Sequence, residues 1–213
     1  MVMESIDYGG IVAKFRDPAW LQRILEINPG EVQEYKNLQQ EFSKGNILEN
    51  LEFQKRFRQF YRLNNARLSQ PFVQIYFKLM QDFTSRPREI KITEILEKLL
   101  AAGGKFQFSF ATKLAHTVNV RLPIYDSFVG IVLDGIIGYS RTKSWGTSPT
   151  VVKERLKYCD SVYDKLKVTV ARLEGDCQKS IASFREKFGV PQTEDVSNCK
   201  VMDFMLWSLG KHL

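Results

Sequence analysis

The sequence is poor in cysteine, the residue that most often builds structural metal sites and disulfide frameworks. It has three cysteines among 213 residues, and they stand far apart without a CxxC spacing. Such a set does not fit a zinc site or a four-cysteine iron–sulfur cluster, and an odd count argues against a disulfide framework. We therefore expect no metal site and no cofactor.

Histidine and the well-known catalytic motifs are also scarce. The chain has only His116 and His212, and it contains no HExxH, GxSxG, GxGxxG, P-loop or DxD-type cluster. These absences argue against the common metalloprotease, serine-hydrolase and nucleotide-binding classes. The sequence also has no apolar run long enough to span a membrane, and no signal peptide at its start. We expect a cytoplasmic protein without a membrane partner.

What the sequence has in excess is positive charge. Lysine and arginine number 31 against 24 acidic residues, which gives a formal net charge of +7. A basic balance of this size favours polyanionic partners, and nucleic acid is the commonest of them.

Helix signals recur along the whole chain, whereas strand signals are few. Asp17-Pro18, Asn28-Pro29 and Ser148-Pro149 each combine a capping side chain with a proline at the first helical position. Apolar residues follow these signals at helical spacing. We predict a compact, multi-helix, all-α fold.

The predicted domain organisation is a single all-α domain over residues 1–213. An arrangement in two lobes stays open: residues 1–104 together with the C-terminal helices would form one, and residues 105–175 the other. The interface would then lie between the N-terminal helices and a helix that begins at Asp126. The apolar composition of that helix, Ser127–Ile137, predicts that it is buried.

Residues 106–134 carry a lysine, Lys113, and an aspartate, Asp126, among mostly apolar neighbours. Charged groups are costly to bury, so their presence indicates either a buried pair or a working site. The structural alternative is that Asp126 caps a helix, while Lys113 reaches solvent or pairs with Asp126 or Asp134. His116 is more typical of a hydrogen-bonded core histidine than of a ligand.

Two basic segments are candidates for phosphate contact. In a helix predicted over residues 51–67, Lys55, Arg58 and Arg62 share a face opposite a row of aromatic residues. The alternative is an ordinary solvated face that balances acidic neighbours.

The second segment is an irregular stretch at residues 138–149 that carries Arg141, Lys143 and Trp145. A basic loop with an aromatic side chain suits contact with nucleic acid. The alternative is a surface loop whose tryptophan folds back on the core.

Two elements of residues 106–134 resemble the helix-hairpin-helix DNA glycosylases, and especially the 8-oxoguanine glycosylases. Phe108-Ser-Phe-Ala-Thr-Lys113-Leu-Ala is similar to the hairpin that presents a lysine, although Phe108-Ser-Phe-Ala stands where the family has glycines. Leu122-Pro-Ile-Tyr-Asp126-Ser-Phe-Val resembles the loop that delivers an aspartate at the start of the next helix. The resemblance covers about residues 105–134, and similar patterns occur in uncharacterised bacterial proteins.

The resemblance implies a DNA-repair activity that excises a damaged or modified base. It implies that Lys113 is the Schiff-base nucleophile and that Asp126 stabilises the developing sugar cation. The chemistry agrees, because desolvation makes a lysine nucleophilic and a carboxylate stabilises positive charge in a transition state. The alternative is a non-catalytic helical protein that retains the scaffold and binds DNA or another protein, so catalysis stays open at this point.

Overall fold

The computed structural model describes residues 6–66, 68–87, 89–102, 106–141, 143–191 and 196–213. Within them every regular element is helical and there is no strand, which confirms the all-α prediction. The α-helices are α1 Tyr8–Arg16, α2 Pro18–Ile24, α3 Pro29–Ser43, α4 Leu51–Phe60, α5 Gln70–Phe83, α6 Ile92–Ala101, α7 Phe108–Val118, α8 Ser127–Ile137, α9 Pro149–Asp176, α10 Gln178–Phe188 and α11 Asn198–His212, with a 3₁₀ turn at Leu63–Ala66.

The helix starts follow the capping signals of the sequence. The side chains of Asp17, Asn28 and Ser148 each accept a hydrogen bond from a backbone N–H in the first turn of α2, α3 and α9. These caps satisfy N–H groups that have no partner within the helix. The predictions of these starts are confirmed.

The single helix predicted over residues 51–67 is wrong in its second half. The helix α4 ends at Phe60, because Arg62 adopts a left-handed backbone with φ of 55°. Such a conformation costs a non-glycine residue about 1 kcal/mol and cannot continue a right-handed helix. Residue 67, the end of the predicted helix, lies outside the described residues.

The helix α11 packs against four other helices. It packs against α8 most extensively, and also against α9, α10 and α2. Residues on most of its circumference are buried, from Val201 to Leu209. The contact between α8 and α11 lies where the two predicted lobes would meet. The predicted boundary between residues 104 and 105 falls outside the described ranges, so the division into lobes stays a prediction.

The stretch 106–134 forms a helix, a turn and a second helix. The helix α7 ends at Val118, and a turn follows in which Leu122 N–H donates to the carbonyl of Asn119 at 2.9 Å. The helix α8 then begins at Ser127, as predicted. None of the helices in the described ranges is long and apolar enough to cross a membrane.

Candidate active site

A cleft of about 360 Å³ lies between the start of α3, the segment after α4, α7, the start of α8 and α11. Its rim is exposed at Asn28, Gln59 and Arg62, whereas its floor is buried and includes Lys113. Asp126 also lines it. The volume falls within the range of about 300–1,000 Å³ that is typical of small-molecule sites. The structure therefore brings both residues to one cavity that opens to solvent.

Lys113 lies on the floor of this cleft with 8% of its surface exposed. Its Nζ donates a hydrogen bond to the backbone carbonyl of Tyr61 at 3.3 Å and lies 5.6 Å from the ring of Phe110. Burial is the largest influence on its pKa and lowers it below the ordinary value, while Asp126 and then Asp203 act in the opposite direction. A lowered pKa raises the share of the neutral amine, which is the nucleophilic form.

The backbone carbonyl of Tyr61 can accept a hydrogen bond from Lys113 because the helix α4 ends at this point. Tyr61 is the C-cap of that helix, and the last carbonyls of a helix have no intrahelical partner. Since Arg62 turns the chain away, the Tyr61 carbonyl accepts a bond from Lys113. A neutral carbonyl orients the amine without fixing a proton on it as a carboxylate would.

Asp126 is the N-cap of α8 and lines the same cleft. Its Oδ1 accepts hydrogen bonds from the N–H groups of Phe128 at 2.9 Å and Val129 at 3.0 Å. Within the described ranges no ion pair joins it to Lys113. The capping role expected for Asp126 is confirmed. Because the same residue lines the cleft, this capping role is compatible with the chemical role expected for it.

The cleft contains a second lysine and a second carboxylate that the sequence reasoning missed. Lys200 Nζ lies 2.6 Å from Asp203 Oδ2, and both residues line the cleft floor. Both side chains are largely buried, at 3% and 11% exposed. Burial raises the pKa of Asp203, and the pair with Lys200 opposes that rise. The signal was available, because α11 is apolar on most faces and therefore leaves little room for an exposed Lys200.

Aromatic rings surround this second lysine. Lys200 Nζ lies 4.3 Å from the ring centroid of Phe204 and 4.6 Å from that of Tyr35. Cation–π contacts of this kind stabilise a buried ammonium group that has left water. The rim adds Trp207, whose ring is approached by Lys211 at 4.3 Å and by Arg62 at 5.9 Å.

His116 is a core residue, as expected. It is fully buried, and its Nδ1 lies 2.6 Å from the carbonyl of Leu122, so that this nitrogen carries the proton. Its Nε2 then accepts a hydrogen bond from the Tyr35 hydroxyl at 2.9 Å. Burial lowers the pKa of His116 to about 3.

The two arginines predicted on one face of a helix over residues 51–67 have different surroundings. Arg58 is half-buried, and its Nε donates to the Gln54 carbonyl one turn earlier. Arg62 is exposed on the rim of the cleft. Acidic residues compensate part of this face, since Lys55 lies 3.8 Å from Glu52. Arg62 is thus the candidate phosphate contact beside the cleft.

The loop candidates lie away from the cleft lining and have partners within the protein. Arg141 Nε lies 2.6 Å from Asp134 Oδ2, and Asp134 also accepts a hydrogen bond from the Tyr125 hydroxyl. Lys143 lies over the ring of Trp145 at 4.2 Å. That ring lies 5.5 Å from the ring of Tyr158 in α9 and is partly buried there. The loop tryptophan therefore packs on Tyr158 of α9.

Neither a metal centre nor a disulfide bond is found in the part of the chain that the structure describes. No group of three His, Cys, Asp or Glu side chains there is arranged to hold a metal ion. Cys159, Cys177 and Cys199 are free thiols and all are buried. Comparisons of the chain with protein-family models, with curated proteins and with solved structures gave no match.

Proposed function

We propose that this chain is a nucleic-acid-binding protein with a DNA-glycosylase-like site, which excises a damaged or modified base through a Schiff base on Lys113. One observation carries the proposal: a desolvated lysine and an aspartate line the same cleft, whose rim opens to solvent. The proposal places the protein in the cytoplasm, where it would meet its nucleic acid.

The chemistry assigned to Lys113 balances as follows. Its neutral amine attacks C1′ of the damaged nucleoside, the C1′–N bond breaks, and the electron pair of that bond leaves with the base. The base takes up the proton that the amine loses. The C1′–O4′ bond then opens, its electron pair goes to O4′, which takes a proton from water, and the sugar remains bound to Lys113 as an iminium ion. Burial of the amine supports this role, because it favours the neutral form of the lysine.

Asp126 would act on the positive charge that develops at the sugar. Its carboxylate lines the cleft, while the N–H groups at the start of α8 hold it in place through Oδ1. A fixed carboxylate stabilises a cationic transition state without having to reorganise. The helix cap therefore serves as the device that orients the catalytic group.

The cleft also suits a base turned out of the duplex. A glycosylase must extrude its target nucleotide, and aromatic side chains stabilise the extruded base by stacking. Phe60 and Trp207 are partly exposed residues of the cleft lining. Arg62 on the same rim would contact a phosphate next to the extruded nucleotide.

Borohydride trapping on duplexes that contain 8-oxoguanine or an abasic site tests the proposal. Wild type should form a covalent adduct with DNA, Lys113→Gln should form none, and Lys167→Gln in α9, outside the cleft, should behave as wild type. Failure of wild type to form an adduct, or an adduct that persists in Lys113→Gln, would refute the nucleophile assignment.

A second candidate is a non-catalytic helical protein that binds DNA or another protein. The observation in its favour is that Asp126, Arg141 and Lys200 each have a partner within the chain. In that case wild type would bind DNA with a strong salt dependence and yield no trapped adduct. Absence of DNA binding even at low salt would point to a protein partner.

A further inference from the structure

Six charged residues share the cleft with Lys113, and two of the carboxylates, Asp126 and Asp203, act on its charge state. The other two acids, Glu31 and Glu34, lie on α3, and Glu34 is paired with Arg56. Asp126 comes from the start of α8, and Lys200 and Asp203 come from α11. An unpaired carboxylate in this confined space would attract a proton to the lysine and hold it there as an ammonium ion. Both carboxylates must therefore be held by other partners if Lys113 is to serve as a nucleophile.

Each carboxylate has a partner of its own. Asp126 accepts two hydrogen bonds from the N–H groups at the positive end of α8. Asp203 is paired with Lys200 at 2.6 Å. Lys113 donates to a neutral carbonyl instead. Asp203 is thus paired with a cation, whereas Asp126 is held by backbone N–H groups, and among the described residues no ion pair joins either acid to Lys113.

We propose that Lys200 is a positioning residue, which neutralises Asp203 and so favours the uncharged form of the Lys113 amine in the cleft. The aromatic contacts of Lys200 with Tyr35 and Phe204 support this role, because they fix its ammonium group where it can meet Asp203. The inference rests on the proposed role of Lys113 as a nucleophile.

The remaining ionisable groups around Lys113 do not replace Lys200 in this role. Arg62, from the segment after α4, also disfavours the charged form of Lys113, but it stands on the exposed rim. Tyr61 offers its carbonyl, and from α5 the hydroxyl of Tyr76 donates to the carbonyl of Phe110. On α7 itself, His116 is engaged by Tyr35 and Leu122. Only Lys200 pairs directly with Asp203 among the described residues.

The test measures the charge state of Lys113 without any DNA. Acetaldehyde and cyanoborohydride alkylate neutral amines, and peptide mapping by mass spectrometry gives the extent of labelling at Lys113 across a pH series. The midpoint is the pH at which labelling of Lys113 is half-maximal. In Lys200→Met this midpoint should rise by about one to three pH units, because Asp203 has then lost its partner and can hold a proton on Lys113. Lys167→Met is the matched control, since Lys167 and Asp164 also form a pair at 2.6 Å and three residues apart, but on the surface.

Two further variants keep the test decisive if Lys200→Met does not fold. Asp203→Asn should lower the midpoint of Lys113, because it removes a carboxylate and leaves the positive charge of Lys200. The double variant Lys200→Met/Asp203→Asn removes both charges and should return the midpoint close to that of wild type. An unchanged midpoint in Lys200→Met, or a midpoint that does not fall in Asp203→Asn, would overturn the inference.

The two experiments distinguish a failure of the role proposed for Lys200 from a failure of the proposed glycosylase function. Should wild type form no adduct with DNA while the midpoints shift as expected, the glycosylase proposal fails and the role of Lys200 stands. Should DNA be trapped while the midpoints stay fixed, the glycosylase proposal stands and the role of Lys200 fails.

Discussion

Gly210 of α11 lies directly against the backbone carbonyl of Phe128 in α8, so that a Cβ at position 210 would overlap the carbonyl oxygen. This contact fixes how closely the two helices approach each other beside the cleft. Trp207, one turn earlier in α11, packs edge-on against the ring of Phe128 at 5.7 Å. The start of α8, and with it Asp126, is thereby held against the helix that carries Lys200 and Asp203.

The first prediction concerns this helix contact. Gly210→Ala should lower the free energy of unfolding by roughly 1–2 kcal/mol, because overpacking against a backbone atom costs about 1–3 kcal/mol and outweighs the gain in helix propensity. Urea denaturation measures the change. Gly175→Ala within α9 is the matched control, since a Cβ there meets no atom within 4 Å, and it should stabilise the protein by about 0.5–1 kcal/mol. Equal effects of the two substitutions would contradict the close approach.

The second prediction separates the structural and chemical roles of Asp126. Asparagine caps a helix as well as aspartate does, so Asp126→Asn should keep the stability of wild type, whereas Asp126→Ala should lose about 1 kcal/mol. The proposed chemical role requires that both variants slow the trapping of DNA by at least about 100-fold.

Ser148→Ala, which removes the cap of α9, is the control for the loss of a cap alone. It should destabilise the protein by a similar amount and leave the trapping rate unchanged. If Asp126→Asn is trapped on DNA at the rate of wild type, Asp126 acts as a helix cap and has no chemical role.

The third prediction concerns pH and the buried His116. Its pKa lies at about 3 in the folded protein against an ordinary value of 6.5. The unfolded chain therefore binds more protons between these two values, and stability should fall as the pH falls from 6.5 towards 3. The contribution is up to about 1.4 kcal/mol per pH unit.

Denaturation of wild type and His116→Gln across this pH range measures that contribution. Buried carboxyls such as Asp203, whose pKa is raised, act in the opposite direction, but they are common to both proteins and cancel in the difference. His212→Gln at the exposed end of α11 should follow wild type. A His116→Gln profile parallel to that of wild type would show that the histidine is not buried in its neutral form.

The fourth prediction concerns the rim of the cleft. If Arg62 contacts a phosphate, Arg62→Gln should lower DNA affinity irrespective of sequence and reduce the slope of log affinity against log salt by about 0.9. Fluorescence anisotropy over a salt series measures the slope. Arg56→Gln in α4 is the control, because Arg56 is held by Glu34 through two hydrogen bonds, and it should change the slope less. Equal slopes in Arg62→Gln and wild type would remove Arg62 from the interface.

The helical class and most helix starts follow from local sequence signals. Capping side chains such as Asp17 and Asp126 act on N–H groups two or three residues away, so their effect can be read locally. The apolar composition of α8 also predicted burial, and one face of the helix is buried while Ser127 and Gly135 are exposed. The predicted helix over residues 51–67 failed at Arg62, where nothing in the local sequence indicates a left-handed residue.

The surroundings of Lys113 depend on how distant parts of the chain pack together. Lys200 and Asp203 stand nearly ninety positions further along the chain, and they meet Lys113 because α11 packs across the start of α8. The same holds for the Tyr61 carbonyl, which faces Lys113 from 52 positions away. Capping and periodicity act within a few residues, whereas the charge of a buried amine depends on every group that the fold brings near it.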